Sequence, residues 1–134
     1  GGAVVAASDE PEIGPVVWGW VPEMSDAVRI EGHDAKFAQE GQSVYRWATT
    51  KLTQTLQEAM DKAGVGPEDI DVFAPHQANL RIVESMTKRL GFPETTVVAR
   101  DVVQSGNTSA AARKTSRSSV PPPKACRWFT TACR

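Results

Sequence analysis

The fold of this chain is limited above all by an amphipathic stretch at residues 43–63. Its apolar residues recur at the spacing of one helical face, and they are Val44, Ala48, Leu52, Leu56, Ala59, Met60 and Ala63. Gly64 follows directly and predicts the end of the helix, because glycine adopts the left-handed conformation that closes many helices. A helix with one apolar face must pack against another layer, so the neighbouring elements decide the fold class.

Those neighbouring elements alternate between strand and helix. Residues 70–74 predict a buried strand, and residues 79–90 predict a second helix. The inner stripe of this second helix is expected at Ala78, Ile82, Met86 and Leu90. Residues 95–99 predict a further strand, and residues 106–109 predict a turn into an Ala-rich helix start at residues 108–112. This order favours an α/β fold over an all-α or all-β one.

The sequence before the first helix is less regular. Residues 3–7 and 14–20 are short and rich in β-forming residues, and a further strand is expected around residues 27–30. Residues 31–41 are polar and contain two glycines, so we expect them to be irregular.

The distribution of charge predicts a boundary near residue 112. Residues 1–112 carry nine Lys and Arg against sixteen Asp and Glu, whereas residues 113–134 carry six basic residues and no acidic one. The second region is rich in Ser, Arg and Pro and lacks any apolar period, so we expect a disordered basic tail. Because charge and periodicity change so abruptly, we hypothesise a reading-frame shift near Ala112.

The composition is that of a soluble protein, with 40% hydrophobic and 23% charged residues. No apolar run reaches the roughly 18 residues that a membrane-spanning helix needs. The first eight residues lack the basic start of a signal peptide. The two cysteines, Cys126 and Cys133, lie in the basic tail at a spacing that fits neither a zinc nor a redox motif.

Two polar residues follow predicted strands and are candidates for catalysis. His76 comes directly after the buried strand at residues 70–74, where ligands of open α/β sheets bind. It suits an acid/base or oxyanion-binding role, and the structural alternative is a histidine that caps the next helix. Asn107 follows the strand at residues 95–99. Its amide suits the stabilisation of an oxyanion, and the alternative is an asparagine that only shapes a turn.

Other polar and aromatic residues have simpler interpretations. Arg81, Lys88 and Arg89 form either a solvated helix face or a landing point for an acidic partner or a phosphate. His33 is expected on the surface. The sequence has no metal-ligand cluster, no phosphate-binding glycine loop and no Ser/His/Asp set. Three tryptophans are expected to fill the core or the surface, and they are Trp18, Trp20 and Trp47.

Two motifs in this sequence, in their order along the chain, resemble those of β-ketoacyl-acyl-carrier-protein synthase III. They lie at residues 72–82 and 105–111, and they contain Pro75-His76-Gln77-Ala78-Asn79 and Gly106-Asn107-Thr108-Ser109-Ala110. Residues 41–45 and 2–5 support the resemblance, which covers residues 1–111 but only the C-terminal part of a family member. It implies a thiolase fold, in which the active site lies between two similar α/β halves. We therefore expect an incomplete C-terminal thiolase-like half, with a separate tail at residues 113–134.

The resemblance also implies roles for single residues. His76 and Asn107 match the catalytic histidine and asparagine that bind the malonyl thioester and stabilise its enolate. Arg81 matches a docking residue for acyl carrier protein, and Asn79 and Gln77 match positions near the pantetheine arm. The implied substrates are acyl-CoA and malonyl-acyl carrier protein, without a further cofactor. The family is homodimeric and cytoplasmic, and the resemblance implies no nucleic-acid or membrane partner.

One departure from the family changes the functional prediction. The family's cysteine nucleophile lies in the N-terminal half, and nothing here corresponds to it, because Cys126 and Cys133 lie where the resemblance ends. Without that thiolate no acyl-enzyme forms, so this chain alone is predicted to be inactive. The alternatives are a non-catalytic module that binds acyl carrier protein and, less favoured, a tail that binds nucleic acid or anionic lipid nonspecifically.

Overall fold

The structure, a computed structural model, describes residues 6, 7, 9, 13–34, 36–107 and 128–130. The strands are β1 (Val28–Glu31), β2 (Lys36–Gln39), β3 (Val72–Ala74), β4 (Val97–Val98) and β5 (Trp128–Thr130). The α-helices are α1 (Gly41–Trp47), α2 (Thr53–Ala63), α3 (Leu80–Leu90) and α4 (Val102–Ser105). Short 3-10 helices are Pro22–Met24 and Pro67–Asp69. Helices and strands alternate from β2 to α4, which confirms the α/β class.

The predicted long helix is present, with a π-helical turn at its centre. The segment Ala48–Leu52 joins α1 to α2 without a break in the chain direction. Such a turn disturbs the normal hydrogen bonding of the helix backbone. Hydroxyl side chains can then donate hydrogen bonds to backbone carbonyl oxygens of the preceding turn. The Thr49 hydroxyl donates to the carbonyl oxygen of Tyr45 at 3.0 Å, and the Thr50 hydroxyl donates to that of Arg46 at 2.7 Å. Threonines in this helix therefore support a locally widened backbone.

Helix α2 ends where the sequence predicts. Gly64 has a φ of 65°, a conformation that a residue with a Cβ adopts only with strain. The amide of Val65 then donates to the carbonyl oxygen of Met60 at 3.1 Å, which is the long bond of a Schellman closure. Val65 and Met60 are both buried in the core, so the end of the helix is also fixed by packing.

The core lies between the β3–β4 pair and helices α2 and α3. Its main cluster consists of Leu56, Met60, Val65, Ile70, Phe73, Met86 and Leu90. Phe73 is fully buried, and its ring centroid lies 5.0 Å from that of Phe92. The stripe predicted for α3 is correct at Met86 and Leu90 and at the partly buried Ile82, which packs against the core, but wrong at Ala78, which is exposed and precedes the helix. Val83 is fully buried instead, because a helix that begins at Leu80 turns this residue inward.

The prediction of an irregular segment at residues 31–41 is wrong, because β2 lies within it. Strands β1 and β2 pair in antiparallel register, with Ile30 opposite Phe37. Residues opposite each other share one face of the ribbon, so these two apolar side chains lie on the same face. They are 71% and 65% exposed. The polar composition hid this strand, because its ladder is formed by backbone groups and only one large apolar residue marks it.

Residues 14–20 were predicted as β-rich, but they have no regular secondary structure. Trp18 and Trp20 are largely exposed there, so of the two alternatives left open by the sequence these residues take the surface one. A strand needs a ladder partner, and the sheets formed by the described residues do not include this segment. Most of the strand expected at residues 3–7 and all of the helix start expected at residues 108–112 lie outside the described residues.

The tail differs from the expected disorder in one place. Residues Trp128–Thr130 form β5, which pairs in parallel with β3 on the side opposite β4. A β-strand with an open edge presents unpaired backbone groups, and a Trp-Phe-Thr segment has high β-propensity. The rest of the predicted tail, including Cys126 and Cys133, lies outside the described residues. Within the described ranges no helix is long and apolar enough to cross a membrane.

Candidate active site

The candidate site lies beyond the carboxyl ends of β3 and β4. The two strands are parallel, with Val72 paired with Val97 and Phe73 with Val98, so both chains leave the sheet at the same edge. His76 is the second residue after β3 and is half-buried, whereas Asn107 follows α4 and is exposed. His76 therefore follows β3 as the sequence predicts, whereas Asn107 is separated from β4 by α4, a helix that the sequence analysis did not predict. The carboxyl end of β3, where His76 lies, is a position at which open α/β sheets bind ligands.

A buried glutamine joins the two segments that carry these residues. The side chain of Gln77 is 0% exposed. Its amide nitrogen donates to the carbonyl oxygens of Pro75 at 3.0 Å and Ala99 at 3.1 Å, and its amide oxygen accepts from the backbone nitrogen of Val102 at 3.0 Å. Both ends of the amide group are thus engaged inside the protein. These bonds indicate a structural role for the amide, and the position near the pantetheine arm suggested for Gln77 stays a prediction.

Helix α3 begins with an asparagine cap. The side-chain oxygen of Asn79 accepts a hydrogen bond from the backbone nitrogen of Arg81 at 2.9 Å, and Asn79 itself is extended. An N-cap of this kind satisfies one of the amides that have no partner within the helix. Asn79 is therefore the N-cap residue of α3, and the structural alternative for His76, a histidine that caps the next helix, stays a prediction. Asn79 is also exposed, so its side-chain oxygen caps α3 at the surface.

Arg81 lies in the first turn of α3, next to an aromatic ring of α1. Its guanidinium carbon is 5.7 Å from the ring centroid of Tyr45, within the range of a cation–π contact. Arg81 is exposed, and Tyr45 is partly buried. Lys88 and Arg89 lie in the last turn of α3, where positive charge favours the helix dipole. The three basic residues therefore have different surroundings: within the part of the chain that the structure describes, Arg81 alone of the three lies over an aromatic ring.

Sequence reasoning missed a buried carboxylate in this region. Asp101 precedes α4 and is 1% exposed, and within the described residues its Oδ1 atom has no hydrogen-bond partner. It also missed the ring of Tyr45 and the bridging role of Gln77. The available sequence signals were weak. They were a tyrosine in the predicted first helix, 36 positions before Arg81, and an amide side chain next to the histidine at the end of a strand. Neither pattern predicts a contact with a distant segment.

Other candidate positions do not join this site. His33 is exposed in the turn of the β1–β2 hairpin, as predicted. An open cavity of about 410 Å³ lies between the first 3-10 helix and α1, and its lining includes Glu23, Asp26, Arg46 and Trp47 but neither His76 nor Asn107. Among the described residues, no three His, Cys, Asp or Glu side chains group as a metal site.

Comparison of the sequence with known proteins identifies relatives of this chain. A sequence profile described as 3-oxoacyl-[acyl-carrier-protein] synthase III C terminal matches residues 60–115. A β-ketoacyl-[acyl-carrier-protein] synthase III of Streptomyces coelicolor is 58% identical over 114 residues, which cover 83% of this chain and 36% of that protein. The corresponding enzyme of Streptomyces glaucescens is 46% identical over 122 residues, covering 83% and 37%.

Solved structures agree with the sequence matches. The priming β-ketosynthase of the R1128 polyketide biosynthetic pathway superposes with a TM-score of 0.73 and 37% identity, over 78% of this chain and 35% of that one. The 3-oxoacyl-(acyl carrier protein) synthase III of Pseudomonas aeruginosa gives a TM-score of 0.64 and 26% identity, over 70% and 30%.

The described residues form an incomplete thiolase-like α/β fold. The chain belongs to the 3-oxoacyl-acyl-carrier-protein synthase III family and corresponds to the C-terminal part of its members. This confirms the resemblance found in the sequence. The chain spans about a third of the length of the curated relatives it matches.

Proposed function

We propose that this chain is the enolate-stabilising part of a condensing acyltransferase. The full reaction joins an acyl-CoA primer to malonyl-acyl carrier protein, with decarboxylation, at the start of fatty acid synthesis in the cytoplasm. The observation that carries the proposal is the position of His76 and Asn107 beyond two neighbouring parallel strands. The family membership of the chain supports the same reaction.

The two residues act on one oxygen atom. The imidazole N–H of His76 and the side-chain amide of Asn107 donate to the thioester carbonyl oxygen of the malonyl group. The bond between its carboxylate carbon and α-carbon breaks, CO₂ leaves, and the electron pair forms an enolate on that oxygen. Hydrogen-bond donors fixed in advance stabilise such developing charge. The α-carbon then attacks the acyl thioester of the primer, and the thiolate leaves.

The primer must be held by a nucleophile that this chain does not supply. The resemblance assigns that role to a cysteine in the N-terminal part of the family, and we assign it to neither Cys126 nor Cys133. Since histidine and asparagine form no acyl-enzyme in this scheme, the chain alone is expected to catalyse no condensation. The reaction uses its two substrates and no further cofactor.

The test of this proposal supplies the missing part from a relative. Residues 1–107 replace the matching segment of the Streptomyces coelicolor protein, whose other residues are kept. His76→Ala and Asn107→Ala in this chimaera should each lower the decarboxylation of malonyl-acyl carrier protein at least about 100-fold, a typical effect of removing an oxyanion donor. His33→Ala is the matched control, since this histidine lies exposed in the hairpin turn. Equal activity of all three variants would refute the proposal.

A second candidate is a non-catalytic module that binds acyl carrier protein. It is favoured by Arg81, which is exposed and held over the Tyr45 ring at 5.7 Å. A guanidinium in this position can pair with a carboxylate or a phosphate of a partner.

Binding of the unaltered chain tests this second candidate. In a titration with acyl carrier protein followed by NMR, Arg81→Glu should weaken binding at least about tenfold, because it places like charge against an acidic partner. Lys88→Glu, at the other end of α3, is the control and should weaken it less. Binding by the chain together with an inactive chimaera would favour the module over the enzyme.

A further inference from the structure

We propose that Gln77 is a positioning residue that sets the distance between the turn carrying His76 and the segment carrying Asn107. The inference rests on the proposed function, because it concerns how the two oxyanion donors are held. It is distinct from the position near the pantetheine arm that the family resemblance suggests for Gln77.

The chemistry of the amide explains why glutamine stands here. Its nitrogen donates to Pro75 in the β3–α3 turn and to Ala99 beyond β4, and its oxygen accepts from Val102 at the start of α4. Among side chains, only the uncharged amide of Asn or Gln offers two N–H donors together with a carbonyl oxygen as acceptor. A glutamate would place an acceptor against two carbonyl oxygens, and a methionine would leave three backbone groups without their partner. Because the site is fully buried, water cannot replace those bonds without rearrangement.

The bond to Val102 fixes the element that leads to Asn107. Helix α4 has only four residues, Val102–Ser105, and its N-cap residue Asp101 makes no side-chain capping bond. Gln77 therefore satisfies the first amide of α4 from 25 positions away in the sequence. At the other end of α4, Gly106 has a φ of 67°, and Asn107 follows directly. A shift of this short helix would move Asn107 with it.

The sheet alone does not hold the two segments together at this edge. The β3–β4 ladder has only two registered pairs, and the amide of Ala99 makes the last backbone bond, to Phe73 at 2.9 Å. Beyond that point Gln77 continues the connection through its side chain. At the opposite end of the strand pair, the hydroxyl of Thr96 donates to the carbonyl oxygen of Ile70 at 2.9 Å. Thr96 is also buried, so it offers a matched side-chain bridge that is remote from the candidate site.

The first experiment uses the unaltered 134-residue chain. Hydrogen exchange followed by NMR should show the Val102 amide at least about tenfold slower than a free amide, although the first amide of a helix normally has no partner in it. Exchange at the unprotected rate would overturn the inference, and this measurement requires no variant to fold.

The second experiment compares Gln77→Met and Gln77→Glu with Thr96→Val in the same chain. The Gln77 variants should move the NMR signals of the His76 ring and the Asn107 amide, and Thr96→Val should move those of Ile70 and leave the site signals in place. Equal shifts at the site from all three variants would overturn the inference, because they would indicate a general loss of structure.

The chimaera separates this inference from the proposed function. There, Gln77→Met should lower kcat for decarboxylation at least about tenfold with KM changed less than about twofold, since misplaced donors weaken only the transition state. If Gln77→Met has no effect while His76→Ala is inactive, the positioning role is refuted and the proposed function stands. If His76→Ala and Asn107→Ala retain activity, the proposed function is refuted, and the exchange and shift measurements alone decide whether Gln77 holds the two segments.

Discussion

The β3–β4 layer and the β1–β2 hairpin differ in the burial of their apolar residues. In the layer, Phe73, Met60 and Val83 are fully buried between the strands and helices α2 and α3. In the hairpin, Ile30 and Phe37 lie on one face of a two-stranded ribbon and are largely exposed. Two strands without a covering layer bury little apolar surface. The layer is therefore stabilised by its own packing, whereas the hairpin presents an apolar face on this chain.

The largest predicted difference between the two regions comes from removing an aromatic ring. Phe73→Ala should destabilise the chain by about 3–5 kcal/mol, because it leaves a cavity in the core. Phe37→Ala, the matched change in the hairpin, should change stability by less than about 1 kcal/mol, since little of its surface is buried. Urea unfolding followed by circular dichroism measures both. Similar losses for the two variants would show that the hairpin is packed like the core.

A smaller effect is expected at the helix cap next to the site. Asn79→Ala should cost about 1 kcal/mol, because the amide of Arg81 loses its partner. Asn79→Ser keeps a capping oxygen and should recover most of that loss. The thermal unfolding midpoint of the three proteins decides this. A loss for Asn79→Ser as large as that for Asn79→Ala would show that the side-chain oxygen does not stabilise α3 through this bond.

The smallest effect on stability, and the clearest on solubility, is predicted for the apolar face of the hairpin. The double variant Ile30→Thr and Phe37→Thr keeps β-propensity and removes two exposed apolar side chains. It should leave the unfolding midpoint within about 2 °C, since surface changes alter stability little. It should also lower the aggregate fraction in light scattering. Unchanged aggregation would place the aggregating surface elsewhere, and a large fall in the midpoint would show that the face is packed.

Local patterns predicted the main elements of the layer well. The helical spacing at residues 43–63, the glycine after it and the apolar strand around Val72 each depend on neighbours along the chain. For the same reason His76 could be placed directly after a strand before any contact was known, whereas α4, which separates Asn107 from β4, was not predicted. The strand β2 could not be predicted, because its polar residues pair through backbone atoms with β1.

The sequence by itself determined the α/β class, the two amphipathic helices, the family and the two candidate oxyanion donors. Tertiary structure alone decided that Gln77 is buried as a bridge, that Val83 faces the core and that Arg81 lies over Tyr45. The bonds of Gln77 to Ala99 and Val102 span 22 and 25 positions, and no local propensity records such partners. Propensity and periodicity act over a few residues, whereas the satisfaction of a buried amide depends on which distant backbone groups the fold brings to it.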